Sequence, residues 1–477
     1  MRKLPYSLLL YSLLFFLHVN SYSQAVEKFL SDSILLHASY SMYVADAGSG
    51  ITVLDLNSGK NVTPASVLKL ITSATALELL GPDYTFKTQF GYTGKLTKRG
   101  RLDGNIIIKG GGDPALASPE FTAFYGDFPE KWIGEIKKAG IKKINGRVIT
   151  DDSYYDYMPI PSKWLWEDAG NYYGAGVYGA SVFDNTYDIH FKTSSDGTKP
   201  VITGIIPEEC NFNLTNRLVA SGTTDQGYVF AAPYSKEGWL AGSIPVNSDD
   251  FVLSASIPDP PMLISALIDK KLRLSGIKIE GSPSTVRLEN QSPVSDFVPI
   301  SDYVSPHLSE IIEVLNHKSV NLYAENLVKE LGKKFEGSGS TAAGIEVINS
   351  FADSSGVRGM MIVDGSGLSR ANSMNAKGLA AILLHMKNQG RYFNYYFNSF
   401  PQAGEGTLKN WFRDEVFSDR LKAKSGSMTG VRSYAGYFTT KSGREMVFAF
   451  MTNNFDGPSG SVISHYEEIL KEIILTY

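Results

Sequence analysis

The chain has 477 residues, of which 43% are hydrophobic and 20% are charged, and its net charge is -4. This is globular composition, long enough for two or three domains, without the basic excess that nucleic-acid binding requires. The single cysteine, Cys210, excludes an intrachain disulfide. The seven histidines show no metal-ligand spacing, so we expect neither a metal nor another cofactor.

The first segment predicts a secretory signal peptide. Arg2 and Lys3 precede an apolar run from Leu8 to Val19, and small residues around Ser23 suit a signal peptidase. The run is too short for a stable membrane span, and no later stretch is long and apolar enough. We therefore expect residues 1–23 to be removed. The remainder is then exported to the periplasm or the extracellular space, with at most peripheral membrane association.

A hairpin followed by a helix is the next predicted unit. Ser41–Ala45 and Ile51–Leu56 have strand patterns, and the helix begins near Ser66 and ends at Gly81-Pro82. This helix is apolar almost all round, which predicts that it is buried. Ser66 and Lys69 lie about one turn apart on one face, so an amine can reach a hydroxyl that must lose its proton to become a nucleophile. The pattern predicts serine acyl-transfer chemistry, although a capping serine and a surface lysine would also explain it.

The middle of the chain, residues 89–284, has a different texture. Short alternating segments are separated by Gly, Pro, Asn and Asp clusters, which predicts one or two β-rich modules inserted into the catalytic domain. The segments are Gly104–Lys109, Lys143–Thr150, Thr186–Lys192, Val201–Ile206 and Phe251–Ile257. Asp113 and Pro114, after three glycines, predict a structural turn. The catalytic domain would then comprise residues 24–88 and 285–477.

The C-terminal part predicts helices, then strands, then a last helix. The helical patterns are His307–Asn316, Ser319–Leu331, Thr341–Ser350 and Ala376–Lys387. Strand patterns follow at Ser433–Thr440 and Met446–Thr452, and an amphipathic helix runs from Val462 to Leu475. We expect both chain ends to form one sheet, with helices packed on it that enclose the Ser66 helix.

A lysine-activated serine also needs a proton relay, a cation for an anionic substrate end and an oxyanion hole. Ser319-Val320-Asn321 opens a helix, so a hydroxyl and an amide can project together into a cleft. Lys424-Ser425-Gly426 ends a strand-like run, Arg420–Ala423, and its glycine would let a substrate backbone approach closely.

Each of these motifs has a second copy in the chain. Ser275-Gly276-Ile277-Lys278 falls in an alternating pattern that predicts a strand, where residues three apart face opposite sides. Ser373-Met374-Asn375 repeats the second motif, and Lys441-Ser442-Gly443 repeats the third in a predicted turn. Order and context select the set at 66, 319 and 424. His317 has no G-x-S-x-G elbow beside it, which disfavours a Ser-His-Asp hydrolase.

Together the three motifs resemble the signature of penicillin-binding proteins and serine β-lactamases. Five stretches extend the resemblance to the D-alanyl-D-alanine carboxypeptidase/endopeptidase family of class C low-molecular-mass penicillin-binding proteins. They are PASVLKLITSATALELLG at 64–81, GGGDP at 110–114, SVNLYAENL at 319–327, DGSGLSR at 364–370 and AKSGSMTG at 423–430. The resemblance implies an α+β fold: a transpeptidase-like domain, an antiparallel sheet with helices, interrupted by two nested β-rich domains.

The resemblance also implies roles for individual residues. Ser66 would be the nucleophile, Lys69 its base and Ser319 a proton relay, with Lys424 setting the local field. Asn321 would orient Lys69 and the substrate amide. The other implied substrate-binding residues are Ser425 and Lys424 for the terminal carboxylate, the amides of Ser66 and Ser427 for the oxyanion, and Thr429. Ser425 departs from the threonine of many members but keeps the hydroxyl.

Two further residues match a pocket for the diamino acid of the stem peptide. Arg370 would meet a carboxylate, and Asp168 would meet the free amine beside an aromatic wall at Tyr173. A surface salt bridge or a loop acid would also explain the two charged residues. The implied enzyme cleaves peptidoglycan stem peptides through an acyl-serine and is acylated by β-lactams. The alternatives are a serine β-lactamase and a non-enzymatic wall-binding protein.

Overall fold

A computed structural model describes residues 23–210, 212–290 and 293–477. The predicted signal peptide, apart from Ser23, lies outside the described residues. Ser23 caps the helix Gln24–Ser31 by accepting a hydrogen bond from the Val26 amide. Within the described part of the chain, no helix combines the length and the apolar character that crossing a membrane would take.

Both chain ends meet in one five-stranded antiparallel sheet, called the main sheet below. In spatial order its strands are Leu421–Met428, Val431–Thr439, Glu445–Asn453, Ser39–Asp46 and Thr52–Leu56. This confirms the predicted sheet from both ends, and it places the 424 segment on an edge strand. The prediction that Lys424 follows the end of a strand was wrong, because the strand continues through it to Met428.

The central strand of the main sheet explains why helices cover both faces. Every residue of Glu445–Asn453 after the first is buried. Because successive side chains point to opposite faces, Val447, Ala449 and Met451 join one hydrophobic core. Met446, Phe448 and Phe450 join the other. The first core contains the Ser66 helix and the second contains the last helix, Ser459–Thr476.

The helix that follows Ser66 lies in the first core as predicted. A short 3-10 turn, Ala65–Leu68, leads into the α-helix Lys69–Leu80, which is called the serine helix below. All of its residues except Leu79 and Leu80 are buried. Gly81 ends it with φ of 86°, a left-handed conformation that glycine adopts without steric cost.

The middle of the chain forms four further sheets or parts of sheets. One has the strand order Ser284–Thr285, Val148–Asp151, Ile106–Lys109, Lys87–Tyr92 and Val298–Val304. A small one is ordered Lys278–Ile279, Lys143–Ile144, Arg101–Asp103 and Lys95–Leu96. A third is ordered Val201–Ile206, Thr186–Lys192 and Phe251–Ser256. The fourth is ordered Asn213–Asn216, Glu237–Ile244 and Val219–Ala220, with Gln226–Ala231 also paired to Glu237–Ile244.

Two helices in this middle region were not predicted from the sequence. Phe128–Lys138 and Pro260–Leu274 are both α-helices. The strand predicted around Ser275 is wrong, because that serine follows the second of these helices as its C-cap and only Lys278–Ile279 is extended. The single strand predicted over 143–150 is two strands that belong to different sheets.

Four further helices lie close to their predicted positions. They are Leu308–Lys318, Asn321–Phe335, Thr341–Ser354 and Ala376–Gln389. The short helices Phe393–Asn398 and Thr122–Tyr125 were not predicted. Single 3-10 turns occur at Ser33–Leu35, Pro119–Phe121, Tyr172–Gly174, Phe183–Asn185, Gly406–Leu408 and Glu415–Phe417. The architecture is α+β, as predicted. The domain boundaries near residues 88 and 285 stay a prediction.

Candidate active site

The backbone before Ser66 is fixed to the main sheet. The Asn453 side chain accepts from the Thr63 amide at 2.7 Å and donates to the Thr63 carbonyl at 3.0 Å. The Ser433 hydroxyl donates to the Pro64 carbonyl at 2.5 Å. Ala65 then adopts φ of 51°, a left-handed conformation that costs an alanine about 1 kcal/mol. These contacts hold the turn in a conformation that presents Ser66 at the start of a helix.

Lys69 is fully buried directly behind that hydroxyl. Its Nζ lies 3.1 Å from Ser66 Oγ, and it donates to Asn321 Oδ1 at 2.5 Å and to the Ser366 carbonyl at 2.7 Å. When the amine is neutral, those two acceptors take its two protons. The remaining lone pair then faces the Ser66 hydroxyl, which is the orientation a general base needs.

Burial also makes the neutral amine accessible near neutral pH. Desolvation lowers the pKa of Lys69 to about 7, while the nearby carboxylates of Glu325 and Asp364 act in the opposite direction. A lysine with this pKa can accept a proton from a serine and return it within one reaction cycle. The geometry and the pKa therefore support the same role.

Ser319 and Lys424 form a second hydroxyl–amine pair. Ser319 has φ of 60° and ψ of 37° at the junction between the helices Leu308–Lys318 and Asn321–Phe335. The Lys424 Nζ donates to Ser319 Oγ at 2.8 Å and to the Ser425 carbonyl at 2.7 Å. Burial and the Lys69 charge lower the pKa of Lys424. This pair can move a proton between its members without help from solvent.

Gly426 lets the edge strand approach the nucleophile. A Cβ at this position would lie 2.2 Å from Ser433 Oγ and 2.8 Å from the Ser66 amide nitrogen. Only a residue without a side chain fits there. We expected the glycine to admit the substrate backbone. In the structure it admits the protein's own Ser66 turn, which brings Ser427 and the Ser66 amide to the same cleft.

That cleft has a volume of about 400 Å³ and opens onto Ser66. The sequence-predicted residues that line it are Ser66, Asp168, Tyr173, Ser319, Asn321, Arg370, Ser427 and Thr429. Lys69 and Lys424 are buried beneath it. Ser425 is not among the described residues that line the cleft. It is partly buried, and its carbonyl accepts a hydrogen bond from Lys424. The roles of these residues stay predictions.

The residues of the expected diamino-acid pocket lie at one side of the cleft. Asp168 is 8% exposed, accepts from the Leu165 amide at 3.2 Å, and has a pKa raised by burial. Arg370 is exposed and donates to the Thr429 carbonyl at 3.2 Å. The Tyr173 carbonyl accepts from the Asn321 side chain at 2.8 Å. One face of the cleft therefore offers a carboxylate, a guanidinium and an aromatic ring together.

Two buried carboxylates lie behind Lys69, and the sequence analysis predicted no role for them. Glu325 accepts from the Gly365 amide at 3.0 Å and the Ser366 amide at 2.7 Å, so it fixes the backbone directly before the Ser366 carbonyl that binds Lys69. Asp364 accepts from the Trp164 indole at 2.9 Å and from the Ser369 amide at 2.6 Å. Burial raises the pKa of both acids. The spacing of Glu325, one helical turn after Asn321, was the available signal.

The inserted region contributes wall residues that the sequence analysis also missed. Leu165, Glu167, Tyr172 and Tyr228 line the cleft together with Lys318, Gly367, Leu368 and Met428. Gly367, Leu368 and Met428 belong to the stretches 364–370 and 423–430, although no role was predicted for them. The positions of the four residues from the inserted region follow from the packing of that region against the catalytic domain.

The rival motif copies lie in structural positions. Ser373 and Asn375 both precede the helix Ala376–Gln389, which Asn375 caps. Gly443 has φ of 87° in the turn between two main-sheet strands.

Asp113 accepts from the Tyr125 hydroxyl at 2.8 Å and from the Ala115 amide, and burial raises its pKa to about 6. In the described ranges no cluster of His, Cys, Asp and Glu could hold a metal ion.

The site combines a buried lysine behind a serine with a second pair, in which the serine lies between two helices and the lysine lies on the edge strand of an antiparallel sheet. This combination defines the active-site serine enzymes of the penicillin-binding-protein and β-lactamase class. The D-Ala-D-Ala carboxypeptidase 3 (S13) family matches residues 22–469, and the chain belongs to this family. It is a serine-type D-Ala-D-Ala carboxypeptidase of the class C low-molecular-mass penicillin-binding proteins.

Relatives agree over most of the chain. The D-alanyl-D-alanine carboxypeptidase of Actinomadura sp. strain R39 is 27% identical over 450 residues, which cover 91% of this chain and 81% of that protein. The D-alanyl-D-alanine carboxypeptidase DacB of Haemophilus influenzae is 23% identical over 415 residues, 84% of this chain and 83% of that one. The crystal structure of penicillin binding protein 4 from the same organism superposes with a TM-score of 0.81 at 21% identity and covers 95% of this chain and all of that one.

Proposed function

We propose that Ser66 attacks the carbonyl carbon of the penultimate D-alanine in a peptidoglycan stem peptide. The observation that carries the proposal is the buried Lys69 amine, placed 3.1 Å from Ser66 Oγ and oriented by two acceptors. Lys69 takes the hydroxyl proton as the new C–O bond forms. The amides of Ser66 and Ser427 stabilise the oxyanion of the tetrahedral intermediate.

Collapse of that intermediate breaks the C–N bond and releases D-alanine. The leaving amine takes a proton through Ser319, which Lys424 reprotonates across their 2.8 Å contact. Water then attacks the acyl-Ser66 ester, and the proton path runs in the opposite direction. The reaction consumes one water and yields a shortened stem peptide and free D-alanine.

Substrate binding uses the remaining predicted residues. Lys424 supplies positive charge for the terminal carboxylate from beneath the cleft, with Ser427 and Thr429 in the cleft lining as hydrogen-bonding partners. Asp168 and Arg370 recognise the amine and carboxylate of the diamino acid, whose stem packs against the Tyr173 ring. The same pocket would accept the diamino acid of a neighbouring stem, so we propose D,D-endopeptidase activity on cross-links as well. A mature chain exported to the periplasm or beyond would meet this substrate.

A β-lactam would acylate the same serine, and this gives the direct test. After incubation of the purified protein with penicillin, mass spectrometry of its peptides should locate one adduct at Ser66. Ser66→Ala should lose both the adduct and the release of D-alanine from a pentapeptide. Ser373→Ala, in the rival motif, is the matched control and should keep both activities. Full D-alanine release by the Ser66 variant would refute the proposal.

The lifetime of the adduct separates the peptidase from a β-lactamase. A peptidase should hold a stoichiometric penicilloyl adduct through many times the period needed for one peptide turnover. Rapid multiple turnover of a chromogenic β-lactam would favour the lactamase instead.

A further inference from the structure

The fourth sheet of the inserted region carries aromatic rings on its outer face. Val229 and Leu240 point into the core, whereas their neighbours Tyr228, Phe230 and Trp239 point outward. Tyr228, Phe230 and Trp239 lie on the two antiparallel strands of this mixed sheet, and the solvent-facing side of such a pair normally carries polar residues. Trp166, from the loop before Asp168, adds a fourth ring. We call Trp166, Tyr228, Phe230 and Trp239 the aromatic face.

These rings form one contiguous, partly exposed surface. Trp166 is tilted by 47° to Trp239, and Tyr228 is tilted by 36° to Phe230. Phe230 and Trp239 occupy paired positions on adjacent strands, with ring planes 11° apart and centroids separated by 5.3 Å. The Trp166 centroid lies 6.1 Å from Trp239, and the Tyr228 centroid lies 6.4 Å from Phe230. Trp166 is 51% exposed and Trp239 is 37% exposed. A contiguous exposed apolar patch of this kind marks a binding surface.

Polar side chains border the aromatic face along the same strands. Thr215 pairs with Trp239 from the other side, and Asn213 pairs with Glu237 one step along. Gln226 pairs with Ser243 at the opposite end. Thr215, Asn213, Glu237 and Gln226 are all exposed. The surface therefore combines an apolar centre with hydrogen-bonding groups at its rim.

The aromatic face is continuous with the active-site cleft. Tyr228 belongs to both, and Leu165, which precedes Trp166, also lines the cleft. Tyr228 additionally joins Tyr172 and Tyr173 in a second cavity of about 330 Å³. A ligand whose one end is held at Ser66 could therefore extend onto the rings without leaving the protein surface.

We propose that the aromatic face binds the glycan strand to which the stem peptide is attached, by stacking the C–H faces of its N-acetylated pyranose rings on Trp239, Phe230 and Trp166. This inference rests on the proposed function. Pyranose rings present flat C–H faces to aromatic rings and hydroxyl and acetamido groups at their edges, which matches the centre and the rim. The four stem-peptide residues between the sugar and the scissile bond span about 14 Å when extended. The sugar therefore lies outside the cleft when the scissile bond is at Ser66.

The test compares one substrate with and without its sugars. The full-length protein and Trp239→Ala are assayed for D-alanine release from a free pentapeptide and from the same peptide attached to its N-acetylated disaccharide. We expect Trp239→Ala to lower kcat/KM for the disaccharide substrate about fivefold, as for the loss of one aromatic stacking contact, and to leave the free peptide unchanged. Trp166→Ala should act in the same direction. Tyr395→Ala, at a ring that is 48% exposed on the helix Phe393–Asn398, is the control and should change the rate for neither substrate.

A binding measurement keeps the inference separate from catalysis. Peptide-free glycan chains should quench tryptophan fluorescence of the wild-type protein and lose most of that effect in Trp239→Ala. An equal loss of kcat/KM for both substrates, or no loss for either, would overturn the proposal, as would unchanged glycan binding. If the wild-type protein were a dimer and Trp239→Ala a monomer, the aromatic face would instead be assigned to contact with a second copy of the chain. If Ser66-dependent D-alanine release failed while glycan binding persisted, only the proposed function would fall.

Discussion

Replacing Lys69 by methionine isolates the base from the rest of the site. Methionine keeps an unbranched side chain in the buried position but offers no lone pair to the Ser66 hydroxyl. Loss of a positioned general base costs about 10²- to 10⁴-fold, so acylation by a β-lactam should fall about 10³-fold at pH 8. Lys60→Met, at an exposed lysine, is the matched control and should acylate at the wild-type rate.

The pH dependence of the wild-type protein gives the same prediction a quantitative form. A pKa of about 7 leaves about half of the Lys69 amines neutral at pH 7. At its ordinary pKa of 10.5 only about one in 3,000 would be neutral at that pH. Since only the neutral amine accepts the proton, acylation should rise through a midpoint near pH 7 and level off above it.

Stopped-flow acylation with a fluorescent penicillin between pH 5 and 10 would measure this profile. The groups that face Lys69 and shape its titration are Glu325, Asp364 and Lys424. A midpoint above pH 9, a rate independent of pH across the range, or a Lys69→Met protein that acylates normally while folded by circular dichroism would refute the reasoning.

Three more substitutions test other parts of the site. Asp168→Asn should lower kcat/KM about tenfold for a stem peptide with a free side-chain amine and leave its N-acetylated form unchanged, as for loss of one charged contact; equal losses on both would contradict the assignment. Gly426→Ala should slow acylation about 10²-fold, because the new methyl would lie 2.8 Å from the nucleophile's amide, whereas Gly204→Ala meets no atom within 4 Å and should acylate normally. Glu325→Gln should move the midpoint of the acylation profile to lower pH, because the carboxylate it removes raises the pKa of Lys69; an unchanged or higher midpoint would contradict that coupling.

Local signals predicted the elements that carry the motifs. An apolar run ended by Gly81-Pro82 predicted the serine helix, and strand patterns on either side of predicted turns predicted the main-sheet strands near both chain ends. A wrong assignment arose where a segment fits both the two-residue period of a strand and the 3.6-residue period of a helix. In 260–274 we followed an alternation of leucines near the end of the segment and missed the helix, although Asp259 as N-cap and two prolines at its first positions were helix-start signals.

The motifs also determined the chemistry before any contact was known, because a serine and a lysine three apart on a helix share one face whatever surrounds them. What only the tertiary structure decided is how that pair is made to work. Lys69 donates to the carbonyl of Ser366, which lies 297 positions later in the chain. Glu325 accepts from the amide of the same residue, 41 positions away. The cleft walls at Asp168 and Tyr228 come from the inserted region. Such contacts depend on how separate elements pack, and no periodicity within a single segment contains that information.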